Sequence, residues 1–339
     1  RSKLFTGLEA RQRSSVQSAD VSEREEPVTT VPILYPMWLI SPKDLLELSS
    51  LRPHQQLLQE GRLVEYNEQL HRGRVIFVSH QWLGYSEPDP DGQQLRALQT
   101  ALRRLGAGQT IETNWMAYLA FRTNTHVKAN ELRAALPHMM LWIDYVSMPQ
   151  NLEGNGIGQK EAGLNAIRSI PAYVERTELM LVLAPPATHV DTGNICTFKT
   201  WRSRGWCRME YAAAMLARKE VRVILVCGPT YTPEFLFPAD LFYLVPGEGH
   251  FTCCARQHDF GCGPVPCDKR KVRSIMEMLI DAKVAHLEEM GDLFRMRYFV
   301  SMRATLLRGL TDEQPVTTAA PMEHHALAQS SNEGPKRQL

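Results

Sequence analysis

Three stretches of the chain concentrate the side chains able to do chemistry. The first, VIFVSHQWLGYSEPDPDG (Val75 to Gly92), begins as an apolar strand and ends as a helix start. Between the two it offers Ser79, His80, Gln81, Trp82 and Tyr85, then Glu87, Asp89 and Asp91. A hydroxyl, an imidazole, an indole and a phenol so close together suit hydrogen bonding and stacking on a ligand. The second, LWIDYVSMPQ, supplies Asp144, Tyr145, Ser147 and Gln150, then runs into the glycine-rich NLEGNGIGQK and Glu161. The third, ELMLVLAPP, leads into a loop with His189 and Asp191.

Each of these residues also has a purely structural explanation. Asp144 at a strand end can cap a turn, and His80 can be a satisfied rim histidine. Glu161 opens a helix, where the macrodipole favours a carboxylate whatever its function. Trp142 and Trp206 read as core, and Glu210 as an ion-pair partner of Arg204 or Arg208. The loop holding Gly154, Gly156 and Gly158 lacks the Lys-Ser/Thr pair and spacing of a phosphate cradle, and reads as a lid.

The elements that must position these groups follow from hydrophobic pattern. RVIFVSH, MMLWIDYV, ELMLVLAPP and VRVILVCGP are near-continuous apolar runs, the mark of strands buried on both faces. Helical patterns alternate with them. Leu95, Leu98, Leu102 and Leu105 repeat at helical spacing behind Asp91, the expected N-cap. Leu164, Ile167, Ile170 and Val174 share a face, and Pro171 must kink or break that helix. RGWCRMEYAAAMLARKE is a strong helix. The expected fold class is therefore α/β, a parallel sheet with helices on both faces. In such a sheet ligands bind outside the C-terminal strand ends, so the three stretches converge on one rim.

Around this body (residues 75–228) lie additions. Residues 1–30 and 311–339 are polar and read as a disordered lead-in and tail. Residues 31–74 read as a helical N-terminal extension over one sheet edge, 106–139 as a helical insert, and 229–310 as a Cys-containing loop and helical C-terminal extension.

A net charge of +1 gives no electrostatic case for a nucleic-acid or membrane-surface partner. No apolar run is long enough to span a membrane. Seven cysteines, an odd count without framework spacing, fit a reducing, cytoplasmic compartment. The chain starts at Arg1, which leaves room for a further domain or a targeting segment upstream. Cys253, Cys254, Cys262 and Cys267 cluster with His258 in FTCCARQHDFGCGPVPC. They are weak metal candidates, because adjacent cysteines and the missing CxxC pairs do not make a finger or ribbon. The expectation is no metal, with buried thiols on a hairpin.

Taken together, VIFVSHQWLG, LWIDYVSMPQ, the helix led by Glu161, LMLVLAPP and GWCRMEYAAAM resemble the Toll/interleukin-1-receptor (TIR) superfamily, closest to its heterokaryon-incompatibility (HET) branch. The resemblance spans roughly residues 75–228. It implies a flavodoxin-like fold and an intracellular signalling domain that recognises a nucleotide. Some members hydrolyse the nicotinamide–ribose bond of NAD, and others only assemble. By matching position the resemblance makes Glu161 the catalytic glutamate, with Glu153, nearer in sequence to Asp144, as rival. Trp82 and Tyr85 would stack on a base, and Ser79, His80, Asp144 and Tyr145 would complete ligand binding. NAD is then a substrate, and no cofactor is required. The alternatives are a non-catalytic self-assembly or adaptor module with signalling partners, and a hydrolase or transferase acting on another nucleoside.

Overall fold

A computed structural model describes residues 31–113, 119, 126–150, 157–219, 221–236, 244–260 and 263–310. The N-terminal part contains β1 (Trp38–Ile40), α1 (Pro42–Glu47), α2 (His54–Gln59), β2 (Leu63–Glu65) and α3 (Glu68–His71). Next come β3 (Val75–His80), α4 (Gln93–Ala107), β4 (Ile111–Thr113), β5 (His126–Val127) and α5 (Ala129–Ala135). The middle holds β6 (Met140–Ile143), α6 (Asp144–Ser147), α7 (Ile157–Arg168), α8 (Ile170–Glu175) and β7 (Leu179–Leu183). A hairpin of β8 (Ala187–Thr188) and β9 (Ile195–Cys196) follows, then α9 (Phe198–Trp201), α10 (Gly205–Leu216), β10 (Arg222–Val226) and β11 (Glu234–Leu236). The C-terminal part is α11 (Thr252–Ala255), α12 (Asp268–Glu289) and α13 (Leu293–Leu306).

The main sheet has nine strands in the order β2-β1-β6-β3-β7-β10-β11-β4-β5. Its centre, β6-β3-β7-β10, is parallel throughout. These four strands are the four apolar runs, and every residue of β3 and β7 is buried. Taken in chain order they stand 2-1-3-4. The chain reverses its direction of travel across the sheet between β3 and β7, the kind of switch point beside which ligands of such sheets bind.

Helices cover both faces. The strand period of two sends Val75 and Phe77 to one face and Ile76 and Val78 to the other. On the first face Phe77 stacks on Trp142 at a centroid distance of 4.3 Å, under α8, α10 and α12. On the second, α4 buries Leu95, Leu98, Leu102 and Leu105, each worth roughly 1.5–3 kcal/mol. Pro171 does break its helix: α7 ends at Arg168 and α8 restarts at Ile170, with the proline in its first turn. Leu164, expected on the buried face, is 39% exposed.

Three expectations need correction. Residues 31–74 do form short helices, but they also add β1 and β2 to the sheet, antiparallel at the β6 edge. The region 106–139 contains strands β4 and β5 beside α5. Strands of two or three residues carry too little periodicity to be read from sequence. TNWMAYLAF falls almost entirely outside the described residues. The cap of α4 is not Asp91: the Asp89 carboxylate accepts from the backbone N–H of Gln94 at 3.0 Å and of Leu95 at 2.7 Å. Among the described residues no helix is long and apolar enough to cross a membrane.

Candidate functional site

The site grows out of the last two residues of β3, which point to opposite faces of the sheet. Ser79 faces α10. Its hydroxyl donates to Glu210 Oε2 at 2.5 Å and accepts from Trp201 Nε1 at 3.1 Å. His80 faces α4 and the end of β6. Its Nδ1 lies 2.6 Å from Gln94 Oε1 and its Nε2 2.9 Å from Asp144 Oδ1. The Gln94 amide is oriented by its own donation to the Gln81 carbonyl at 2.8 Å. Both imidazole nitrogens therefore meet acceptors, which fits a doubly protonated ring.

Electrostatics agree with that geometry. Burial alone would lower the His80 pKa, yet the Asp144 carboxylate beside it, with Gln94 and Glu210, raises it to about 9. Asp144 has the converse balance. Burial would raise it, but the His80 cation and the hydrogen bonds from His80, Trp82 Nε1 (2.8 Å) and the Tyr145 amide (2.6 Å) hold it below the usual range. Glu210 has no cation in direct contact. Burial pushes its carboxyl up to about 8, although the Ser79 hydroxyl opposes the shift. The cluster thus sets an ionised carboxylate, Asp144, beside an imidazolium, with a carboxyl that stays protonated near neutral pH on the other sheet face.

The rim is assembled by the loops after β3, β6 and β7, as expected from sequence. Trp82 meets Tyr145 edge to face at 5.8 Å. Tyr85 is 38% exposed, takes Asp191 Oδ2 on its backbone N–H at 2.7 Å, and lies 5.1 Å from the His189 ring. The Arg256 guanidinium sits over the Tyr85 ring at 4.6 Å and brings a cation to that side. Gln81 Oε1 and His189 Nδ1 are buried here without hydrogen-bond partners.

Ser79, His80, Trp82, Tyr85, Asp144 and Tyr145 are thus joined by direct contacts or by the rim loops. Glu161 is not joined to them. It is exposed on α7, and no hydrogen bond or ion pair connects it to the cluster. Glu153 and most of the glycine-rich loop lie outside the described residues. Glu210 is the residue that sequence reasoning misjudged: it pairs with Ser79, not with Arg204 or Arg208. The legible signal was a lone carboxylate on the Ala- and Met-rich part of the helix, MEYAAAM. Asp144 does cap its turn, but the same oxygen also holds His80.

The arrangement excludes two chemistries. A Ser-His-Asp triad needs the imidazole to take the serine proton, and here the Ser79 proton points at Glu210 while both His80 nitrogens are engaged. Cys207, whose thiol approaches the His80 carbonyl at 3.8 Å, is no thiolate nucleophile, because burial and Glu210 raise its pKa well above the usual value.

In the C-terminal part, Cys253, Cys254, His258 and Cys267 come together, with their ligand atoms all within 4.8 Å of one another. Cys262 lies outside the described residues. No known protein family, curated protein or solved structure matches the chain.

Proposed function

We propose that the chain is a TIR/HET-like signalling domain of flavodoxin-like fold that binds a nucleotide at this rim and hydrolyses the nicotinamide–ribose bond of NAD. One observation carries the reading. An ionised carboxylate, Asp144, stands 21% exposed at the C-terminal end of β6, beside the β3 end, while a second, Glu210, is held neutral near pH 7. Carboxyl groups whose environments drive their pKa values apart are a pattern of acid–base and glycosidic sites. The strand order 2-1-3-4 supports the fold, since it begins the flavodoxin-like order. The two orphaned polar atoms at the rim support a ligand, because buried polar groups are ordinarily satisfied.

The chemistry asked of the site is modest. The C1′–N bond breaks and its electron pair passes to the pyridinium nitrogen, so neutral nicotinamide leaves without acid assistance. Positive charge moves to the ribose, where the Asp144 carboxylate stabilises it. Water adds to C1′ and gives up a proton, leaving ADP-ribose. Trp82 and Tyr85 border the base, and Arg256 faces the diphosphate. This reading moves the central carboxylate from Glu161 to Asp144. The test is incubation of the purified chain with NAD, following tryptophan fluorescence for binding and free nicotinamide for turnover. Quenching and release are expected, and Asp144→Asn should abolish release while retaining binding. Neither quenching nor release from the wild type would overturn the proposal.

A second reading, a self-assembly module, is favoured by the last helix. On α13, Leu293 pairs with Val300 and Phe294 with Tyr298 on separate sides of the helix; they are 48%, 54%, 84% and 39% exposed. Large apolar side chains left exposed together on one helix suit an association surface. Sedimentation of the wild type beside Phe294→Asp tests it: a loss of larger species in the variant is expected, and monomers in both would refute it.

A further inference from the structure

We propose that Cys253, Cys254, His258 and Cys267 bind one zinc ion in a closed Cys3His site that pins the loop through Arg256 and His258 to the start of α12, beside the Tyr85 side of the rim. The distances come first. Cys254 Sγ lies 3.6 Å from Cys267 Sγ and 4.0 Å from Cys253 Sγ. A tetrahedral ion with Zn–S bonds of about 2.3 Å requires sulfurs about 3.8 Å apart. The sulfurs therefore stand at ligand separation, and the histidine nitrogen completes the set within the same 4.8 Å limit.

The second observation is independent of the sulfurs. His258 Nε2 is buried and has no hydrogen-bond partner. The rest of the residue is well tied: its N–H donates to the Cys253 carbonyl at 2.7 Å, and its carbonyl accepts from Val265 at 2.8 Å. Backbone geometry also singles out this point. Gln257 and His258 adopt φ of 54° and 61°, and they are the only non-glycine residues at positive φ among those described. Two successive left-handed residues cost on the order of 1 kcal/mol each or more. Here they fold the chain back so that the imidazole returns over the cysteines of α11.

Burial raises the Cys253 and Cys254 thiols, and two local features favour anionic sulfur against it. Cys267 is the N-cap of α12, a helix of 22 residues, whose positive N-terminal end favours anions. The Asp268 N–H points at Cys253 Sγ at 3.4 Å. Adjacent cysteines, which argued against a metal in the sequence, are no obstacle on the single turn of α11: both sulfurs reach the Cys267 side, and the ligand set spans a turn and a helix start where no ribbon would place it. Three thiolates and an imidazole select zinc among the common divalent ions. Four protein ligands leave no open position, so the site is structural.

Its location gives it a role. Arg256, inside the loop, lies 4.6 Å from both the Tyr85 and the Phe260 rings. Asp268, next to Cys267, accepts from Trp206 Nε1 at 3.2 Å, and Trp206 lies in the first turn of the helix that carries Glu210. An ion holding this loop therefore holds both the aromatic rim and the Glu210 helix.

The experiment measures zinc in the full chain purified under reducing conditions, with X-ray absorption at the zinc edge. One zinc per chain is expected, with three sulfur neighbours at about 2.3 Å and one nitrogen at about 2.0 Å. Cys267→Ser and His258→Ala should each lower the zinc content at least threefold, while Cys227→Ser, outside the cluster, should keep one. The absorption spectrum of the wild type stands alone as a test, independent of whether the variants fold. A chain that takes up no zinc after reduction and reconstitution would overturn the site. So would an all-oxygen and nitrogen shell, or full zinc in both ligand variants.

Discussion

The buried carboxyl of Glu210 offers the sharpest physical test of the cluster, and the substitution is Glu210→Gln. Glutamine keeps the shape and can still accept from Ser79, but it cannot ionise. In the fold the Glu210 carboxyl titrates at about 8, against 4.5 for a free glutamate. The folded state therefore holds a proton that the unfolded state has lost, and stability falls as pH rises between those two values. At about 1.4 kcal/mol per pKa unit, the full difference has a ceiling of roughly 5 kcal/mol above pH 8. Between pH 5.5 and 7.5 the wild type should lose about 2.5 kcal/mol more than the variant. Urea unfolding followed by tryptophan fluorescence, run on both proteins at intervals of half a pH unit, reads this difference directly. The account expects the two curves to diverge in favour of glutamine as pH rises. Parallel curves would mean that Glu210 is ionised throughout, and the neutral-carboxyl argument would fail.

Other consequences can be checked in the same way. Asp144→Asn removes the anion that raises His80 to about 9; the stability it supports is fully present below pH 6.5 and lost as pH rises through 9. The variant should therefore be destabilised by about 2 kcal/mol at pH 6.5, with the deficit fading by pH 9.5 and His80 titrating lower by NMR. Asp89→Ala leaves two N–H groups of α4 without their cap and should cost about 1–2 kcal/mol in urea unfolding, whereas Asp91→Ala should cost less than about 0.5 kcal/mol. Gly205→Ala would set a Cβ 2.1 Å from the Phe251 ring, where α10 meets the C-terminal part. A loss of about 2 kcal/mol or more and a lower melting temperature are expected.

The contrast between what was and was not legible in the sequence has a physical basis. The four central strands and α4 were readable because burial on both faces, or on one helical stripe, leaves a long periodic trace. That Ser79, His80 and Asp144 come together was readable because a parallel sheet aligns its C-terminal strand ends on one rim. The edge strands β1, β2, β4 and β5 were not, since two or three residues show no period and are held by their neighbours. The Asp89 cap was hidden by a nearer acid, Asp91, with the turn geometry deciding between them. Glu210 looked like an ion-pair residue because Arg204 and Arg208 precede it in sequence, but those arginines bond elsewhere and the helix presents the carboxyl to Ser79. The Cys/His cluster was masked by spacing rules drawn from fingers and ribbons. Its ligands are gathered by a left-handed turn at Gln257 and His258, which nothing in their residue types announces.

The central claim is that the carboxylate at the end of β6, Asp144, carries the chemistry on a nicotinamide nucleotide. Its most direct test is the rate of nicotinamide release from NAD by the wild type, Asp144→Asn and Glu161→Ala at equal concentration. The account expects turnover by the wild type, at least a hundredfold less with Asp144→Asn, and little change with Glu161→Ala. Turnover that survives in Asp144→Asn and vanishes in Glu161→Ala would contradict it.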